Sequence, residues 1–208
     1  DSATAVAQGR QLITDEVEFL ADTIALRQEK EIIDLLVSSA ASGNAVNASA
    51  VWSDASSTPV SDIRTAIKNI KVNYHAAADT LLISPQVELD LLNHADVKDL
   101  FKYSGDRALL QSQGISRAIP NFLGLDVYVS DAVTMSGIES GGTETGLVGD
   151  TTALVFKRGA DLGVTFVAER LTTRRFAIEL RRVIHLQMWK TFIPTVFRSK
   201  LIAKISGV

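Results

Sequence analysis

The residue types that carry chemistry are sparse and scattered in this chain. Its three histidines, His75, His94 and His185, fall in three unrelated segments, and none has a metal-ligating partner one helical turn on. His94, with Asp96 and Asp99 nearby, reads as a surface histidine at a helix end. His185 lies between Ile184 and Leu186 and reads as a strand position. Gly141, Gly142, Gly146 and Gly149 are followed by no Lys-Ser/Thr pair and open no apolar helix. They read as a flexible loop, not as a phosphate cradle. No dinucleotide-type glycine fingerprint follows a strand, and no serine sits in a nucleophile elbow. Carboxylates are plentiful, but Asp15, Glu16, Glu18 and Asp22 belong to an exposed helix face and single out no acid–base pair. The chain has no cysteine, which removes disulfides and thiolate metal sites. These patterns assign no catalytic, cofactor-binding or metal-binding residue, and no cofactor is expected.

What remains is charge that can hold one protein surface to another. Residues 1–150 carry 10 Lys+Arg and 21 Asp+Glu, a net of −11. Residues 151–208 carry 11 and 3, a net of +8. Two clusters are candidate subunit contacts. One is Arg27, Glu29, Lys30 and Glu31. The other is Arg174, Arg175, Arg181 and Arg182, which alternate with Phe176, Ile178, Leu180 and Val183. The alternation is that of a strand with one wet face. Three readings of this basic segment stand: a solvated sheet face, pairing with acidic surface on a neighbouring copy, and nucleic-acid binding. The last lacks an accompanying aromatic stacking pattern.

The elements that would position these clusters follow from periodicity. Ile13, Val17, Leu20 and Ile24, then Ile32, Leu35 and Leu36, recur at helical spacing and predict one long helix from about Gln11 to Ala40. The first cluster is the polar waist between its two apolar halves. Residues 1–10 are small and polar and predict a flexible or extended lead-in. Trp52 is expected to pin the following loop to the core. Thr58 and Pro59 start a second helix, whose Ile63, Ile67 and Ile70 are expected to face the first. Thr80–Ser84 predicts a buried strand, Pro85 a helix through Leu92, and Val97–Phe101 a further short one. Residues 103–118 read as an exposed excursion. Asn121–Ser130 reads as one strand bent at Gly124, residues 136–149 as a mobile loop, and Thr152–Phe156 as a strand. Alternation from Val164 predicts long strands broken at Pro194, with a last strand at Leu201–Ile205. The fold class is α+β. Residues 1–72 with 157–208 would form one discontinuous domain, and residues 73–156 an inserted one. No apolar run is long enough for a membrane span.

Four stretches taken in order carry a family resemblance: RQLITDEVEFLADTIALRQEKEIIDLL, VWSDASSTPVSDIRTAIKNI, DTLLISPQVELDLLNHADVKDLFKYS and NFLGLDVYVSDAV. Their series, over roughly Arg10 to Val133, resembles the major capsid proteins of tailed bacteriophages, with the Hong Kong 97-type fold. The resemblance implies that the long helix is a spine helix crossing a peripheral domain, 1–72 with 157–208, and that 73–156 is an axial domain. It implies self-assembly as hexamers and pentamers into an icosahedral shell around double-stranded DNA, held without sequence specificity. It places the protein in the virion after assembly in the host cytoplasm, with scaffold, portal or decoration proteins as further partners and no enzymatic activity. Two alternatives stand beside it. One is an encapsulin-like or gene-transfer-agent shell. The other is a small soluble α+β enzyme or ligand-binding domain.

Overall fold

A computed structural model describes residues 2–40, 44–103, 121–136, 143–178 and 183–208. The expected excursion at 103–118 lies outside them, apart from Tyr103, as does the middle of the glycine-rich loop, 137–142. The long helix, α1, runs from Ser2 to Ser39. The expected lead-in is therefore helical. Ala3, Ala5 and Ala7 are strong helix formers, no proline interrupts them, and the single Gly9 is tolerated within so long a helix.

The chain divides into two compact units, Asp1–Ile32 with Val164–Thr195, and Ile33–Gly163 with Val196–Val208. The second unit is built on a six-stranded mixed sheet. Its strands are β1 (Val46–Asn47), β2 (Thr80–Ile83), β3 (Asn121–Phe122), β4 (Leu125–Val129), β7 (Thr152–Phe156) and β10 (Ile202–Ser206), in spatial order β1-β10-β7-β2-β4-β3. A separate pair, β5 (Val133–Ser136) and β6 (Thr143–Gly146), forms a hairpin. Part of the expected mobile loop at 136–149 is thus a strand. The expected domain boundaries differ from this division. β10 pairs antiparallel with β7, joining residues 202–206 to 152–156, and β1 pairs parallel with β10. Backbone hydrogen bonding therefore crosses the expected limit between 73–156 and the remainder.

Helix α2 (Pro59–Tyr74) starts with Pro59 in the first turn, although the Thr58 side chain makes no cap bond. It packs most on β10, and its buried Ile63, Ala66 and Ile70 share one core with β7 and β10, against which Leu36 and Val37 near the end of the long helix also pack. The attraction is the apolar face of that sheet, where Leu154, Ile202 and Ile205 are fully enclosed. Trp52 is buried as its size implies, and its indole N–H donates to Asp62 Oδ2 at 3.1 Å. Asn44, also buried, donates to the carbonyls of Lys200 (2.6 Å) and Ile202 (3.2 Å), and accepts from Asn73.

Helix α3 (Pro85–Asn93) is capped by Ser84, whose hydroxyl accepts from the Val87 N–H. His94 closes it and leads into α4 (Ala95–Tyr103). It is 6% exposed and not at the surface, because it sits in the corner between α3 and α4; its Nδ1 accepts from the Asp96 N–H. Residues 121–129 are two strands and not one bent strand. Leu123 and Gly124 both have positive φ, 54° and 83°, the signature of a two-residue hairpin turn.

The first unit contains most of α1 and a two-stranded ribbon of β8 (Gly163–Ile178) and β9 (Val183–Val196). Four residues join the strands, so they run in opposite directions. Pro194 does not break β9. In a two-stranded ribbon each strand has a free edge, where a residue lacking an N–H costs no ladder bond.

Candidate subunit-contact surface

The ribbon's strands carry residues that elsewhere would form a core. Phe166 is 56% exposed and Ile193 63%, and Val167, Leu171, Phe176 and Ile184 are also exposed. Of this unit's residues 13–32, 164–176 and 184–195 none is buried, whereas the other unit encloses Ile63, Ile70, Leu81, Ile83 and Leu154 completely. Along β9, Leu186, Met188, Lys190, Phe192 and Pro194 are half-covered, and Lys190 Nζ bonds the Gln28 side chain of α1. This set is the helix-facing side. The opposite side carries His185, Gln187, Trp189, Thr191 and Ile193. There Glu169 Oε2 of β8 accepts from the Trp189 indole N–H (3.0 Å) and the Thr191 hydroxyl (3.1 Å). The Arg174 guanidinium lies 5.1 Å from the Trp189 ring centre, a cation–π contact.

The expected contact residues are placed as follows. Arg27 and Glu31 pair with each other along α1 at 3.3 Å, both exposed. Glu29 is exposed and Lys30 half-buried. Arg174 and Arg175 are exposed on β8, while Arg181 and Arg182 lie outside the described residues. The waist and the ribbon meet through Gln28 and Lys190, neither of which was singled out. Trp189 and Glu169 were missed as well. A tryptophan within an alternating basic segment was the available signal, since that residue type concentrates at interface centres.

The second unit's exposed polar cluster is different in kind. Arg158 bonds Tyr128 and Asp126 through its guanidinium, accepts Tyr128 beneath its charge at 5.1 Å, and donates its backbone N–H to Asp79 Oδ1 at 2.8 Å. Desolvation disfavours its charge, but Tyr128, Asp126 and Asp79 outweigh that and raise its pKa. These groups are spent on each other at one end of the sheet. A groove lined by Val60, Arg64, Asp96, Asp99 and Leu100, between α2 and α4, is wide open to solvent and gathers no enclosed polar group. No helix among the described residues is long and apolar enough to cross a membrane.

The chain belongs to a family of phage capsid proteins: the family model described as phage capsid protein matches residues 4–204. Solved structures show the same fold. A phage-related protein from Bordetella bronchiseptica is 14% identical with a TM-score of 0.73, covering 95% of this chain and 68% of its own. The holo encapsulin complex from Synechococcus elongatus is 14% identical with a TM-score of 0.57, covering 94% and 65%. Mycobacterium phage Che8 is 16% identical with a TM-score of 0.58, covering 89% and 60%. The chain thus spans about two thirds or less of the length of these relatives. No curated protein sequence matches. The fold is α+β of the Hong Kong 97 type.

Proposed function

We propose that this chain is the structural subunit of an icosahedral shell that encloses double-stranded DNA, built from hexamers and pentamers of itself. Family membership supports a structural role, and one observation carries the assembly: a unit with exposed apolar strands and no buried residue at 13–32, 164–176 or 184–195. Such surface is completed by other copies. In this reading the unit containing the long helix and ribbon has the peripheral role, and the six-stranded unit the axial role. The boundaries move to those of the compact units. The net −11 of residues 1–150 keeps packaged DNA from adhering to the wall, so DNA is held without sequence specificity. The location is the virion, after assembly in the host cytoplasm; scaffold, portal or decoration proteins are further partners.

Likeness to the encapsulin favours a second reading, a cage around protein cargo. Electron microscopy of the protein from its source, with nuclease-protected nucleic acid assayed on the same sample, separates the two. Closed particles protecting DNA are expected. Closed particles holding protein instead establish the cage, and a monomer under all conditions overturns both.

A further inference from the structure

We propose that the outward face of the β8–β9 ribbon receives the acidic, solvent-facing side of α1 from a second copy of this chain. The inference rests on the shell reading and names the two surfaces that meet. The receiving face has Trp189 at its centre, held by Glu169 and overlaid by Arg174, with exposed Ile193 on the same side of β9. A half-covered tryptophan beside an arginine is the composition of an interface anchor. A ribbon of only two strands also lacks the layers that make a sheet stable by itself, so an added layer is favoured.

The offered face is on the same unit. Asp15, Glu16, Glu18 and Asp22 are all exposed within two turns of α1, and Phe19 stands among them 66% exposed. One aromatic knob ringed by carboxylates complements a tryptophan-centred face overlaid by the Arg174 guanidinium in both apolar content and charge. The lengths also agree. The 16 residues of β8 span on the order of 50 Å, and so does the part of α1 in this unit. Each copy presents both faces, and the two are different. The contact is therefore heterologous and propagates from copy to copy, as a ring requires.

The absence of cysteine gives a direct test. Phe19→Cys and Ile193→Cys chains are prepared separately, mixed and mildly oxidised. A mixed dimer linked through positions 19 and 193, identified by mass spectrometry, is expected. Its absence while the mixture still assembles overturns the pairing. If the linkage forms in copies that never close into particles, the pairing stands and the shell reading fails. Charge exchange tests the electrostatic part. Arg174→Glu should raise the concentration needed for assembly at least about tenfold, and so should Asp15→Lys with Glu18→Lys. Mixing the two variants restores opposite charges at every contact of an alternating six-membered ring and should recover hexamers. Unimpaired variants, or a mixture that forms no hexamers, overturn the proposal.

Discussion

The two units of this chain spend their apolar residues in opposite ways. In the six-stranded unit, α2 and the sheet close on each other, and eleven of the largest side chains, including Trp52, Leu81 and Ile202, are almost fully buried. In the helix-and-ribbon unit, Phe19, Phe166 and Ile193 face solvent, and none of residues 13–32, 164–176 and 184–195 is buried. The first arrangement stabilises a subunit; the second leaves stabilisation to be gained between subunits. Apolar surface contributes roughly 25 cal/mol per Å² wherever it is removed from water, so in the proposed shell the same residue types serve folding in one unit and association in the other.

The difference can be broken by truncating each kind of residue. Leu154→Ala in the core should cost about 3 kcal/mol in denaturant unfolding of the unassembled subunit. Phe166→Ala on the ribbon should change that stability by less than about 0.5 kcal/mol and impair assembly instead. Equal losses in unfolding would show that the ribbon is part of the folding core. Asp62→Ala removes the acceptor of the buried Trp52 N–H and should cost about 2 kcal/mol, read from the same unfolding curve and from a shift in tryptophan fluorescence.

Asn44→Ala leaves the carbonyls of Lys200 and Ile202 without this donor and should cost about 1 kcal/mol, with faster hydrogen exchange along β10. Glu29→Lys with Glu31→Lys should leave unfolding almost unchanged, because the lost Arg27–Glu31 pair is exposed and contributes only about 0.3–0.5 kcal/mol. If the waist contacts a neighbour, particle yield falls; unchanged yield removes it from the interface.

The smallest effect concerns Asp54. Its carboxylate accepts from the Ser56 backbone N–H at 2.8 Å and from its hydroxyl at 2.9 Å, and those bonds hold its pKa below the usual range. A lowered folded pKa means a contribution that is complete above the unfolded value and lost as pH falls through the folded one. Asp54→Ala should therefore be slightly less stable than the parent at neutral pH, with the gap closing in acid. A gap that persists below the carboxylate range would point to packing and not charge.

Periodicity located α2, β2, α3, β7 and the C-terminal end of α1 to within a few residues, because each is a local pattern whose burial follows from its own spacing, but it placed the start of α1 nine residues late. The turn at Leu123–Gly124 was read as a bend. Its two positive φ angles are required by strand pairing, and a leucine gives no local sign of accepting one. Pro194 reads as a break from sequence alone, because its neighbours do not reveal that the strand has an open edge. Of the proposed contact surface, the charges are visible in the sequence as candidates, but the Gln28–Lys190 bond and the Arg174–Trp189 contact are not, since the groups they join are separated by many residues of chain.

By itself the sequence determined the element types, the α+β class, the uneven charge and, through the order of four motifs, the family. These depend on composition and short-range spacing, which one chain carries in full. Only the tertiary structure decided which apolar residues close a core and which stay exposed. It placed β10 beside β7, drew α2 onto the sheet, buried His94 and left the ribbon open. Those outcomes depend on long-range pairing, where burying a side chain on one surface removes it from every other.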